Sequence, residues 1–296
     1  MLSNFVFWPS IAGAVFLTAG LVICRRDLQI GTSIDKLIAL GGVFVAAPLA
    51  AFGAEHLVAG GRIAAIVPPY LPMRTFWVYF VGMALIAAAV SLVARRYLRL
   101  SLPLLALMFF LFVLMAHIPN AIRARTGLLW TVALRDACFA AGPLALAAAM
   151  WKDSLRGRAY VLIGIARVLV AVALVFFAVE YIFHPQLTLG LPLGKEEPGW
   201  LPMPHVLACL GAALLIVCAG AILINRYARL AAACVGLWMT LVTVLLYAPI
   251  WAMDPRALQV EGLNYVADTL LFGGIMLLLA QALPPGAPFM RKLHRA

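Results

Sequence analysis

Three apolar stretches of this 296-residue chain end on, or enclose, side chains that can trade protons or hold an anion. "LAAFGAEHLV" carries Glu55 beside His56, "AHIPN" carries His117 and Asn120, and "ALRDACF" carries Arg135 beside Asp136. Carboxylates and imidazoles give and accept protons near neutral pH, and a guanidinium grips a carboxylate or another anion. A second set follows further along: Glu180, His184, His205, Tyr247 and Asp268. The residue types suit proton handling or the binding of a small polar group, and none is assigned a catalytic role. Metal chemistry has no footing, since no H-x-x-x-H helix face occurs and Cys24, Cys138, Cys209, Cys218 and Cys234 stand singly without a C-x-x-C. Haem, zinc and nucleotide signatures are likewise absent from the sequence, and the cysteines read as small apolar residues.

The elements that position these groups follow from composition. Hydrophobic residues make up 66% of the chain and charged ones 11%, far from the balance of a water-soluble domain. Apolar runs long enough to cross a bilayer recur near 5–24, 37–58, 76–94, 102–119, 128–150, 160–183, 204–224, 229–250 and 263–283. The expected fold class is all-α, a polytopic transmembrane helical protein of about nine spans. The net charge of +11 does not indicate nucleic acid. The bases lie in short clusters between alternate runs ("CRRD", "ARRYLR", "WKDSLRGR", "NRYAR", "FMRKLHR"), as topology determinants do. They put the N-terminus outside and the C-terminus in the cytoplasm, with a bacterial inner membrane as the expected location and the lipid bilayer as the first partner.

The chain also repeats itself. "LPM" at 71–73 returns at 201–203 and "RRYLRL" at 95–100 returns as "NRYARL" at 225–230, both 130 positions on. "FGAEHL" at 52–57 returns as "FAVEYI" at 177–182 after only 125 positions, because the second outer loop is longer. "RDACFAAG" matches "ADTLLFGG". These pairs predict two parallel four-helix repeats preceded by an extra N-terminal span. The expected division is 1–36 for that span and its loop, 37–150 and 160–283 for the two modules, and 284–296 for a basic cytoplasmic tail. Matching positions pair Glu55 with Glu180, His56 with Tyr181, His117 with Tyr247 and Asp136 with Asp268, while Ala267 stands opposite Arg135. Within the first module Arg135 is expected to face Glu55, and Asp136 to face His117. Glu180 and Asp268 are expected to lack a matching cation. Ten glycines, among them Gly42, Gly53, Gly82, Gly142, Gly164 and Gly274, are candidates for close helix contacts.

The helix ending near an acid, the loop "IVPPYLP", the span "FWVYFVGMALIAAAVSLVARR" and the span closing on "HIPNAI" resemble the DoxX/DoxD-like membrane family, which is built on a four-helix module. The first copy carries the pattern closely; the second is looser, with "EEPGWLPMP" in place of "IVPPYLP". The resemblance implies a redox-linked membrane subunit that meets a quinone or a sulfur compound and a redox enzyme partner at a polar outer cavity. Two other readings stay open: a carrier for a small solute or a proton, and a structural or assembly partner without catalysis. The polar groups themselves also allow a plain helix end closed by a packing salt bridge.

Overall fold

Backbone amides in lipid have no water to bond, so each apolar run satisfies them internally as a helix. The computed structural model of the chain describes residues 3–155 and 157–284. Arg156 and the basic tail expected at 284–296, apart from Pro284, lie outside the described residues. Nine of the described helices are long and apolar enough to cross a membrane. They are α1 (Asn4–Ile30), α2 (Ser33–Val58), α3 (Arg74–Ala94), α4 (Leu98–Ala124), α5 (Gly127–Met150), α6 (Gly157–Phe183), α7 (Pro204–Leu223), α8 (Ala228–Met253) and α9 (Arg256–Ala282). Large apolar side chains such as Phe80, Leu111, Val172, Leu210 and Leu245 cover their outward faces, as befits an integral membrane protein.

The duplication is written into the backbone. Left-handed residues begin or end helices at Met73 and Met203, at Arg95 and Asn225, and at Tyr97 and Tyr227. A π-helical turn interrupts α4 at Val113–His117 and α8 at the matching Thr243–Tyr247. Each is followed by a proline, Pro119 or Pro249, which cannot donate to the carbonyl four residues earlier. For Pro119 that carbonyl belongs to Met115, and the Tyr70 hydroxyl takes it at 2.9 Å.

The two copies interleave. The first helix of each packs against the last helix of the other: α2 lies on α9, and α6 lies on α5. The last helices, α5 and α9, pack together at the centre, and the middle pairs α3–α4 and α7–α8 flank them. Glycine sets these approaches. A Cβ on Gly274 of α9 would sit 2.7 Å from the backbone of Phe44 and Val45 in α2, and one on Gly142 of α5 would sit 2.8 Å from the Ile275 carbonyl of α9. Gly42 and Gly164 face open space instead, so they do not serve the contacts expected of them. Helix α1 packs on the outside of α2 and is mostly exposed. At the end opposite the 59–73 and 184–203 loops, Arg229 bonds Asp35 at 2.7 Å, and Arg167 donates to the Ile222 and Leu223 carbonyls that end α7.

Candidate functional site

A cavity of about 560 Å³ opens inside the first copy, at the end that carries the 59–73 loop. Its walls come from α2, α3, α4 and α5, with Asn264 and Asp268 contributed by α9 of the other copy. Most of the wall is apolar: Phe52, Trp77, Phe80, Phe109, Phe112 and Phe139 supply the rings. The 59–73 loop roofs the cavity with Ile63, Ile66, Val67, Pro68 and Leu71, and Tyr70 ties that roof to α4. Helices α3 and α4 are joined at their far ends by the Ser91–Ser101 hydroxyl contact of 2.7 Å, and the cavity separates them nearer the loop. Phe80 and Leu111, both part of the wall, are about half exposed, so the cavity opens sideways between these two helices, toward lipid.

The polar groups gather at one side of this apolar chamber. Arg135 lies two turns inside α5, and its Nε donates to Asp136 Oδ1 at 2.8 Å. Its Nη1 donates to Asp268 Oδ2 at 2.5 Å, and its guanidinium rests 5.4 Å from the centre of the Phe139 ring. The second oxygen of Asp136 meets His117 Nε2 at 2.8 Å. The π turn that ends on His117 widens the helix there and brings the imidazole to the acid. Both aspartates are buried, so the two carboxylates and the shared cation offset each other's desolvation. Glu55 stands apart from this group and accepts a bond from Asn264 Nδ2 at 3.4 Å. His56 is held by its own helix, Nδ1 to the Phe52 carbonyl at 2.8 Å. A carbonyl only accepts, so Nδ1 carries the proton and the neutral ring keeps Nε2 as a bare acceptor. Gly82 makes room for it: a Cβ there would lie 2.8 Å from the His56 Cβ.

The expected pairing of Asp136 with His117 is present. Arg135 does not pair with Glu55; it serves its own neighbour Asp136 and the aspartate of the other copy. The reason is the interleaving, which places α9, not α2, beside α5 at this depth. Asp268 consequently has a cation, and it does not join Glu180 in a second acid cluster. Glu180 faces the start of α5, against Gly127, and sits 3.9 Å from His184 Nε2. Asn120 and His205 are exposed and outside the cavity wall. His205 lies near Glu197, whose carboxyl burial pushes up while the charge of His205 opposes the rise. Tyr247 is buried, with its hydroxyl on the Leu191 carbonyl at 3.3 Å and its ring stacked on Tyr265. Asn264 was not among the candidates; a lone amide within an apolar span, one turn before Asp268, is the signal that points to it. Among the described residues no group of three or more histidines, cysteines or acids could hold a metal ion.

The architecture of the described residues defines an integral membrane protein with an internal duplication and a cavity, opening between α3 and α4, that ends in buried charge. No protein-family model matches the chain, and neither a curated protein nor a solved structure is found to match it.

Proposed function

We propose that the chain is a DoxX-like membrane protein whose cavity receives a lipid-soluble molecule with a polar head, a quinone-class compound being the candidate, and that it serves as the membrane subunit of a redox system. One observation carries the reading: an apolar chamber of about 560 Å³ that opens between α3 and α4 and ends on Glu55, His56, His117 and the Arg135–aspartate group. That volume and this mixture of many apolar walls with a few convergent polar groups are typical of small-molecule sites. The residues fit a ring with an apolar tail. The rings of Trp77, Phe109 and Phe112 suit the planar part, and the gap between α3 and α4 suits the tail. A bound quinone would supply electron transfer coupled to proton uptake and release. The chain's own share is to bind, to exclude water and to take or give a proton at His56 Nε2 or at the Glu55 carboxylate. The charge bias supports a reading in which this cavity lies at the outer face of the membrane, a bacterial inner membrane being the candidate, with the C-terminus cytoplasmic.

Mass spectrometry of small molecules retained through purification in mild detergent tests the reading. Enrichment of a quinone in the wild-type protein, reduced by His56→Leu and by Phe112→Ala, is the expected result. A wild-type sample that retains nothing, and that shows no saturable binding of an added short-tailed quinone, overturns it.

A structural role is favoured by a different observation, the Arg135 guanidinium lying between an aspartate of each copy. In that reading the charges lock the two repeats together and the cavity holds only lipid. The same retention experiment separates the two.

A further inference from the structure

In the second copy the space that corresponds to this cavity holds a segment of the chain itself. The longer loop, whose five extra residues shift the repeat offset from 125 to 130, carries the segment "LTLGLPL" at 187–193. Leu189, Gly190, Leu191, Pro192 and Leu193 are all buried in the bundle. The segment packs on Ala208 and Gly211 of α7 and on Val242 and Tyr247 of α8. The repeat makes these the counterparts of Val78, Val81, Phe112 and His117, and all four line the open cavity. Gly190 turns the segment at φ +111, against Tyr247, Val242 and Thr269.

What holds the plug shows what the scaffold recognises. Two tyrosine hydroxyls donate to its carbonyls, Tyr181 to Thr188 at 3.4 Å and Tyr247 to Leu191 at 3.3 Å, while the Tyr265 hydroxyl lies between the Leu193 carbonyl at 3.2 Å and the Glu261 carboxylate at 2.9 Å. In the open copy Tyr181 is replaced by His56 and Tyr247 by His117. Each histidine already spends one ring N–H on the protein, His56 on the Phe52 carbonyl and His117 on Asp136. The Nε2 of His56 is left to accept, and neither it nor the Nδ1 of His117 has a protein partner among the described residues. The Glu55 carboxylate beside them also accepts. The Tyr181 donor that faces the plug's carbonyl has become, in the first copy, the acceptor Nε2 of His56 in the cavity wall.

We infer that the 187–193 segment stands in for a ligand, and that the open cavity takes a lipid-soluble molecule whose head donates hydrogen bonds, a hydroxyl-bearing amphipath, in preference to one that only accepts them. The inference rests on reading the cavity as a ligand site and goes further by setting the polarity of the ligand's head. Within the quinone class it selects the reduced, dihydroxy form.

Two matched probes test it, 4-heptylphenol and its O-methyl ether, which share shape and tail but differ in the donated proton. Native mass spectrometry of the full chain in detergent gives their relative affinities by competition. The phenol should bind the wild type about tenfold more tightly, the worth of one or two buried hydrogen bonds. In the double variant His56→Tyr, His117→Tyr, which carries the plugged copy's residues, that preference should vanish. Equal binding of the two probes to the wild type overturns the inference and leaves the ligand site standing. Binding of neither probe overturns the ligand site itself. The wild-type comparison decides even where the double variant does not fold.

Discussion

Arg135 of α5 bonds Asp268 of α9 at 2.5 Å, joining the first copy of the repeat to the aspartate that matches Asp136 in the second. The guanidinium is thus flanked by the two repeat-related acids, and only one of the two positions beside them, 135 and not 267, carries a base. Removing that base strands two buried carboxylates. Arg135→Met should therefore cost about 3–5 kcal/mol, the usual loss when one partner of a buried pair is deleted. The triple variant Arg135→Met, Asp136→Asn, Asp268→Asn should recover much of this, since no charge is left unpaired. Thermal melting of both variants in the same detergent gives the comparison. A triple variant that melts no higher than the single one would mean that the aspartates are not what Arg135 neutralises.

The plug makes a conformational demand at one residue. Gly190 sits at φ +111, where an L side chain is strained, and a Cβ there would meet Tyr247 and Val242 at 3.0 Å and Thr269 at 3.2 Å. Gly190→Ala should lower stability by about 1–3 kcal/mol. It should also release the segment, so that limited proteolysis cuts between 187 and 196 in the variant before the wild type. Unchanged melting and unchanged proteolysis would show that the segment is not held in the bundle by this turn.

Much of the fold was legible because lipid leaves few choices: runs of apolar residues became helices, and the repeat offset matched the positive-φ residues and the two π turns. The His117–Asp136 contact was legible for a similar reason, since α4 and α5 are neighbours in sequence and antiparallel. The partner of Arg135 was not. A duplication shows that two segments are alike, but it does not show which helix of one copy lies against which helix of the other. The interleaving of α2 with α9 and of α6 with α5 decides that, and it is a matter of long-range packing, as in the close approach of α9 to α2 at Gly274. The plug was half visible. The longer loop stood out as a changed offset, yet "LTLGLPL" has the apolar character of an outer loop resting on lipid as much as that of a segment turned inward. Asn264 escaped because its counterpart in the first copy is Val132, so no pairing of repeats drew notice to it.

His56 depends on a glycine in the neighbouring helix. Gly53 and Gly82 let α2 and α3 approach until a Cβ on Gly82 would lie 2.8 Å from the His56 Cβ and 3.1 Å from the Gly53 carbonyl. Gly82→Val should push the helices apart and displace His56 from the cavity wall. Binding of 4-heptylphenol should weaken at least severalfold, and stability should fall by about 1–3 kcal/mol, as overpacking usually costs. His56→Leu in place of the glycine change should weaken binding with a smaller loss of stability. Two variants that bind as the wild type does would remove His56 from the ligand site.

The placement of the cavity on the outer face rests on charge bias, and two exposed positions can test it. Ser154 lies in the link between α5 and α6, close to Lys152 and Arg158, while Gly199 lies in the loop that carries the plug. A single span, α6, separates them, so they lie on opposite sides of the membrane. Single cysteines at these sites, in a background with the five native cysteines replaced, should differ in reaction with a membrane-impermeant maleimide. In intact cells Cys at 199 should label and Cys at 154 should not, and opening the cells should expose 154. The basic clusters at the inner ends favour this orientation because lysine and arginine near helix ends are retained in the cytoplasm during insertion. Labelling of 154 but not 199 in intact cells would invert the protein. The cavity would then face the cytoplasm, and any proton taken or released at Glu55 or His56 would be exchanged with the cytoplasmic side.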